Sequence, residues 1–150
     1  MNINEIKSIR KDIIDMIYES KEGHIPSALS ILDIIYVLYK KILKFDPKNP
    51  EWDGRDYFIL SKGHGCTALY VILVNVGFFS KEKLDEYCKI NSMLGGHPDR
   101  NKIPGIEAST GSLGHGLPMG LGITLAMKIL NKPNNVFVLI GDGESNEGTI

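Results

Sequence analysis

All four histidines of this 150-residue chain directly follow a glycine, as His24, His64, His97 and His115. Imidazole can exchange hydrogen bonds and protons near neutral pH, and loops on a rigid scaffold commonly carry functional side chains. Any one of these histidines could equally be a solvated surface residue. Because all four share the pattern, two joint functions are considered: contacts with a polyhydroxylated or phosphorylated substrate, or a zinc site. The lack of close His/Cys pairs at ligand spacing weakens the zinc interpretation.

A second polar cluster, Gly141-Asp142-Gly143-Glu144, follows the continuous apolar run 136–140. Glycines on both sides of Asp142 allow a tight turn and a close approach to an anion, and amides at a turn or helix start can hold phosphate oxygens. Asp142 could then bind Mg²⁺, which proteins hold with one or two carboxylates plus phosphate oxygens and water. Taken alone, the tripeptide is equally consistent with a turn in which Asp142 caps the next helix.

The elements that position these residues can be predicted from hydrophobic periodicity. Helices are expected over residues 6–17, from Ser27 or Ser30 to Lys41, and over 66–76, 80–89 and 117–130. Ser30, with Asp33 three residues later, is a candidate N-terminal cap for the second helix. Residues 57–60 and 136–140 read as short buried strands. The long connection 91–116, rich in glycine and proline, is expected to be functional or disordered.

Helices that alternate with short buried strands indicate an α/β fold, in which a parallel sheet carries helices on both faces. In open α/β sheets, ligands bind beyond the carboxyl ends of the strands. Both predicted strands end in polar, glycine-rich sequence, at residues 61–65 and 141–148. We therefore expect a functional site at this edge of the sheet.

Composition excludes several classes of partner. The net charge of −1 gives no basic footprint for nucleic acid. The sequence has no apolar run long enough to cross a membrane and no signal-peptide pattern, which favours a cytoplasmic protein. Cys66 and Cys88 fit neither a disulfide nor a metal pattern, and we expect both to be reduced, packing cysteines.

In their order along the chain, these motifs resemble those of the N-terminal half of transketolases. The matching segments are residues 23–24, 61–64, 95–99, 104–107, 110–116, 141–144 and 147–148. Together they span nearly the whole chain, which is far more specific than any single motif. The compact spacing is most similar to split transketolases, whose N- and C-terminal halves are separate polypeptides.

The resemblance implies the thiamine diphosphate-binding fold, with this chain as the diphosphate-binding domain. Thiamine diphosphate would bind with Mg²⁺, or Ca²⁺ as a substitute, between this domain and a pyrimidine-binding domain of another subunit or half. The implied activity is the transfer of a two-carbon ketol unit from a ketose or its phosphate to an aldose or its phosphate, as in pentose phosphate metabolism. The implied partner is a C-terminal transketolase half, in a homodimer or a heterotetramer of halves.

The resemblance also assigns residue roles. Asp142 would be the Mg²⁺ ligand, and the Gly143 amide would bind the diphosphate. His64 would lie against the diphosphate, while His24 and His97 would contact the reacting end of the sugar; these three histidines are the predicted catalytic residues. The remaining predicted cofactor-binding residues are Gly111, Ser112, Leu113, Glu144 and Glu147, the last within a polar network that links paired sites.

Several positions depart from the transketolase pattern and leave the sugar substrate open. Residues 25–28 replace Pro-Gly-Gly or Pro-Gly-Ala, His115 stands where glutamine is common, and Ser145-Asn146 replaces Leu-Gln. The related 1-deoxyxylulose-5-phosphate synthases are an alternative that matches less well at residues 96–98 and 110–114.

The resemblance further implies an incomplete site. The asparagine that completes the family's Mg²⁺ site and the glutamate that activates the cofactor both lie beyond these residues. We therefore expect residues 1–150 to be a partial diphosphate-binding domain that lacks the pyrimidine and C-terminal domains and is inactive alone. A non-catalytic fragment or binding module is the other possibility. The strand at 136–140 should expose an apolar edge and make the chain poorly soluble or dependent on a partner.

Overall fold

The structure is a computed structural model that describes residues 3–150. The helices are α1 (Ile3–Ser20), α2 (Ile25–Val37), α3 (Cys66–Asn75) and α4 (Gly116–Ile129), and the strands are β1 (Tyr57–Leu60) and β2 (Val136–Leu139). A π-helical turn, Leu38–Ile42, extends α2, and 3₁₀ turns cover Gly63–Gly65, Lys81–Glu86 and Gly143–Asn146. None of the helices within residues 3–150 has both the length and the hydropathy needed to cross a bilayer.

The two strands form a parallel pair in which Tyr57 lies opposite Val136 and Leu60 opposite Leu139. The connection between them runs through α3, the long loop and α4, so both carboxyl ends lie at the same edge of the sheet. Helix α4 packs against both strands. At the closest point a Cβ on Gly120 would lie 2.4 Å from Val138 Cγ2, so glycine permits this contact.

Helices α1, α2 and α3 form the main core together with the other face of β1. Helix α3 is the most enclosed, with every residue from Cys66 to Leu73 buried. Phe58 and Leu60 of β1 belong to the same apolar cluster, and the Tyr39 ring meets Phe58 edge to face at 5.7 Å. The α/β fold with helices on both faces of a parallel sheet is therefore confirmed.

The predicted cap of α2 is wrong. The helix begins at Ile25, before Ser30, and has Pro26 in its first turn. Proline suits this position because it has no N–H to leave unpaired and its φ angle is already helical. Asp33 instead forms an ion pair with Arg10 at 3.2 Å on the surface.

The predicted helix over residues 80–89 is also wrong, because only the 3₁₀ turn Lys81–Glu86 forms there. Leu84 is the only aliphatic side chain buried in that turn, which gives a longer helix little apolar surface to pack. The chain then turns at Cys88, whose φ of 57° is left-handed. Both cysteines are free; Cys66 is buried as expected, but Cys88 is exposed and is not a packing residue.

The connection 91–116 contains no α-helix or strand up to Gly116, yet it packs onto the domain. Leu94, Ile103 and Ile106 are buried in the core. Glu107 forms a buried, two-point ion pair with Arg55 at 2.7 and 3.1 Å, just before β1. These contacts fix the path of the loop towards the carboxyl edge of the sheet.

The outer face of α4 is apolar and uncovered within residues 3–150. Leu121, Leu125 and Ile129 expose 58, 52 and 79% of their surface. In the described part of the chain β2 has a neighbour only on the β1 side. The expected open edge of β2 is therefore present.

Candidate functional site

The ends of β1 and β2 continue side by side beyond the sheet. The Ser61 amide donates to the Leu139 carbonyl at 2.9 Å, which extends the ladder by one bond. A Cβ on Gly141 would lie 3.5 Å from Lys62 Cδ, so the two polar turns are in contact. The predicted meeting of both glycine-rich turns at one edge is confirmed.

Glu144 holds these turns together from beneath. Its buried carboxylate accepts hydrogen bonds from the Ser61 hydroxyl and from the amides of Gly114 and Gly141, the latter two at 2.9 Å. Burial would raise the pKa of Glu144, but these hydrogen bonds outweigh it and hold the pKa below its ordinary value. The side chain thus stays ionised and points into the protein.

Three of the four histidines come together above this support. The rings of His24 and His64 meet edge to face with centroids 5.3 Å apart. Burial lowers the pKa of His64, and the nearby positive charges of Lys62, His24 and His97 lower it further. His64 is therefore a neutral imidazole at pH 7.

His97 reaches the group through its contact with Gly111. A Cβ on Gly111 would lie 3.2 Å from His97 Cδ2, so the ring packs against the bare backbone at that point. The fourth histidine, His115, is exposed at the start of α4, where its Nδ1 lies 3.0 Å from the Leu113 carbonyl oxygen. Within residues 3–150 no three His, Cys, Asp or Glu side chains are grouped to hold a metal ion, so the four-histidine zinc site does not form there.

The segment that carries Gly111, Ser112 and Leu113 lies over the end of β1. Thr110 Oγ1 donates to the Leu60 carbonyl at 2.7 Å. Ser112 and Leu113 are exposed beside this anchor. The three predicted residues therefore lie at the same edge of the sheet as the histidines.

Asp142 begins the 3₁₀ turn, but its carboxylate forms no capping hydrogen bond. The interpretation of Asp142 as a helix cap is therefore wrong. The side chain is exposed, and a Cβ on Gly143 would meet no atom within 4 Å, so the space above the turn is open. A free carboxylate beside open backbone fits a hard cation with an anionic ligand. Glu147 is exposed nearby, with its stem against Gly114.

Residue-type reasoning assigned no role to Lys62, Ser61 or Ser27. The Lys62 side chain is buried between the two turns, and the Ser61 hydroxyl links Glu144 with the amide of Gly116 at 3.0 Å. The one available signal is that Ser61 and Lys62 directly follow a buried strand.

The whole chain, residues 1–150, matches the family described as transketolase, thiamine diphosphate binding domain. This range includes residues 1 and 2, which lie outside the described part of the structure. The chain belongs to this family. The predicted resemblance to transketolases is therefore confirmed.

Two relatives are components of split transketolases. One of the subunits of apulose-4-phosphate transketolase from Phocaeicola vulgatus is 43% identical over 94% of this chain and 50% of its own length. The SqwG subunit of 6-deoxy-6-sulfo-D-fructose transketolase from Clostridium sp. is 42% identical over 95% of this chain and 52% of its own. The chain thus spans about half the length of these relatives.

A solved structure shows the same fold. Transketolase from Pichia stipitis, in complex with sedoheptulose-7-phosphate, superposes with a TM-score of 0.86 at 33% identity. The match covers 95% of this chain and 23% of that one. The thiamine diphosphate-binding fold of this family member is therefore confirmed.

Proposed function

We propose that this chain supplies the diphosphate-binding half of the site of a transketolase. The assembled enzyme would transfer a two-carbon ketol unit from a ketose or its phosphate to an aldose or its phosphate. The observation that carries the proposal is the convergence of His24, His64 and His97 beside the free carboxylate of Asp142, in a chain of this family.

Asp142 would hold Mg²⁺, or Ca²⁺ in its place, together with diphosphate oxygens and ligands from outside these residues. Its exposed, uncapped carboxylate supports this role, since hard cations prefer oxygen ligands. The open backbone at Gly143 leaves room for a phosphate to approach the amide. Gly111, Ser112 and Leu113 would line the cofactor on the opposite side, and Glu147 would contribute to the polar network at its rim.

Glu144 would act on the cofactor indirectly. Its carboxylate is buried and bonded to three protein donors, which supports a positioning role for the amides of Gly114 and Gly141. We therefore retain Glu144 in the site as a residue that holds the two turns in place, in preference to direct contact with the diphosphate.

When bound, thiamine diphosphate supplies the carbon nucleophile for attack on a ketose carbonyl. His64, neutral at pH 7, would donate a hydrogen bond to a phosphate or sugar oxygen. His24 and His97 would orient sugar hydroxyl groups and move protons at those oxygens, each such transfer contributing about 10²–10⁴-fold to the rate.

The assembly would require a C-terminal transketolase half, as a homodimer or a heterotetramer, in the cytoplasm. The two split relatives carry the names of a phosphorylated and a sulfonated sugar. An anionic sugar is therefore the substrate class we propose, with pentose phosphates among the first to test.

The direct test combines the full-length protein with its complementary half, thiamine diphosphate and Mg²⁺. Ketol transfer should require all four components across a panel of phosphorylated and sulfonated ketoses. H97N should lower kcat/KM by about 10²-fold or more while cofactor affinity stays within about threefold of wild type. Cofactor binding without turnover of any ketose would instead indicate a non-catalytic binding module.

A further inference from the structure

Lys62 is a buried ammonium group without a counterion in direct contact. Its side chain is only 8% exposed, at the end of β1. Its Nζ donates to Ser30 Oγ at 3.3 Å, and among residues 3–150 no carboxylate oxygen lies within the 4.0 Å of an ion pair. Burying a charge this way is costly unless a ligand of opposite sign completes it.

A second unpartnered group lies beside it. The Ser27 hydroxyl is buried and has no hydrogen-bond partner within the described residues. A Cβ on Gly65 would lie 3.4 Å from both Ser27 Oγ and Lys62 Cε, so the two side chains border the same glycine. Buried polar groups are normally hydrogen-bonded, and an exception calls for an explanation.

The surroundings favour an anion. Ser27 lies in the first turn of α2, a 13-residue helix whose N-terminus carries partial positive charge and unpaired amides. The charges of Asp142 and Glu144 act on Lys62 without touching it. Glu144 is occupied by its own donors, while the Asp142 carboxylate is free. An anion here would thus lie between a lysine and a cation bound to Asp142.

We propose that Lys62 and Ser27 form an anion site that binds the cofactor diphosphate independently of the metal. The inference rests on the proposed function and adds to it a second, direct attachment for the diphosphate. Lys62 supplies the charge and Ser27 a neutral hydrogen-bond donor, whereas Asp142 acts only through its cation.

The test uses the full-length protein with its complementary half and two variants, K62M and S27A. Thiamine diphosphate is titrated with Mg²⁺, and inorganic pyrophosphate is titrated with and without a chelator. K62M should weaken thiamine diphosphate binding about 10- to 100-fold, the range for hydrogen bonds to charged groups. Wild type should bind pyrophosphate weakly without metal, and K62M should abolish that binding.

S27A gives an independent reading because it removes a hydroxyl that is unpaired in the free protein. It should weaken cofactor binding about 3- to 10-fold while the thermal midpoint of the cofactor-free protein stays equal or rises. The matched control is K81M, since Lys81 is an exposed lysine paired with Asp12 on the surface. K81M should leave cofactor affinity unchanged.

Folded K62M and S27A proteins that bind thiamine diphosphate as wild type does would overturn the inference and leave the proposed function intact. A rise only in KM for a phosphorylated sugar would also overturn it, by placing the sugar phosphate at Lys62. Failure of the wild-type assembly to bind thiamine diphosphate at all would instead refute the proposed function.

Discussion

At the scale of single residues, the buried carboxylate of Glu144 determines how the site is held. It ties the end of β1 at Ser61 to the loop at Gly114 and to the turn at Gly141. The sequence places Glu144 next to Asp142, but it does not reveal that the two side chains point in opposite directions. That difference depends on the 3₁₀ turn Gly143–Asn146, which buries one and exposes the other.

Removal of this carboxylate should destabilise the edge of the sheet. We expect E144A to lower the free energy of unfolding of the full-length protein by about 2–4 kcal/mol, because three donors lose their acceptor. Urea denaturation measures the change. The control E147A alters an exposed carboxylate three residues later and should change stability by less than about 0.5 kcal/mol. Equal, small effects in both variants would contradict the assigned role.

The same carboxylate predicts a loss of stability in acid. Its folded-state pKa lies below the ordinary 4.5, because the Ser61 hydroxyl and two amides outweigh the effect of burial. The stability it contributes is complete above the unfolded pKa and is lost as pH falls through the folded one. Unfolding free energy measured below about pH 4.5 should therefore decrease with falling pH. E144Q should flatten this dependence, and an unchanged slope would count against the assignment.

At the scale of elements, α4 and β2 pack through Gly120. A Cβ at Gly120 would lie 2.4 Å from Val138 Cγ2, whereas a Cβ at Gly122 would meet nothing within 4 Å. Two glycines of one helix thus differ in function. One permits contact between helix and strand, and the other only lowers helix propensity.

This difference predicts opposite effects of one substitution. G120A should lower the free energy of unfolding by about 1–3 kcal/mol through overpacking. G122A, the matched control in the same helix, should raise it by about 0.5–1 kcal/mol. Thermal and urea unfolding of both variants distinguish the two; stabilisation by G120A would show that the α4–β2 contact is looser than described.

Elements were predictable from the sequence where periodicity and burial agreed. Strand β1 has its predicted bounds, and α3 differs from its prediction by one residue, because both are short apolar segments that end at polar or glycine residues. The 80–89 helix failed because its propensity was not supported by tertiary packing beyond Leu84. The burial of Lys62 could not be predicted, since it depends on how α2 packs against the turn after β1.

At the scale of the whole molecule, the uncovered face of α4 and the open edge of β2 lie side by side. Leu125 and Ile129 expose 52 and 79% of their surface, and Ile140 follows β2 with 36% exposed. Large exposed apolar patches mark interaction surfaces or aggregation sites. Segments outside residues 1–150, or a complementary half, should therefore cover this face in the assembled protein.

Residues 1–150 expressed alone should consequently self-associate. Sedimentation velocity should show species larger than a monomer at micromolar concentration, and L125K should reduce them because a charge interrupts the apolar face. The surface control K81M should leave association unchanged. A monomer with a cooperative thermal transition would contradict this expectation.

The central claim is that the carboxyl edge of the sheet holds the diphosphate and its metal. The most direct test is calorimetric titration of thiamine diphosphate with Mg²⁺ into the full-length protein and its complementary half, in wild-type and D142N forms. Wild type should bind with a strict metal requirement, and D142N should lose at least about 10-fold in affinity, because Mg²⁺ depends on carboxylate oxygens. Equal affinity in the two forms would contradict the placement of the metal at Asp142 and the account of this edge as the cofactor site.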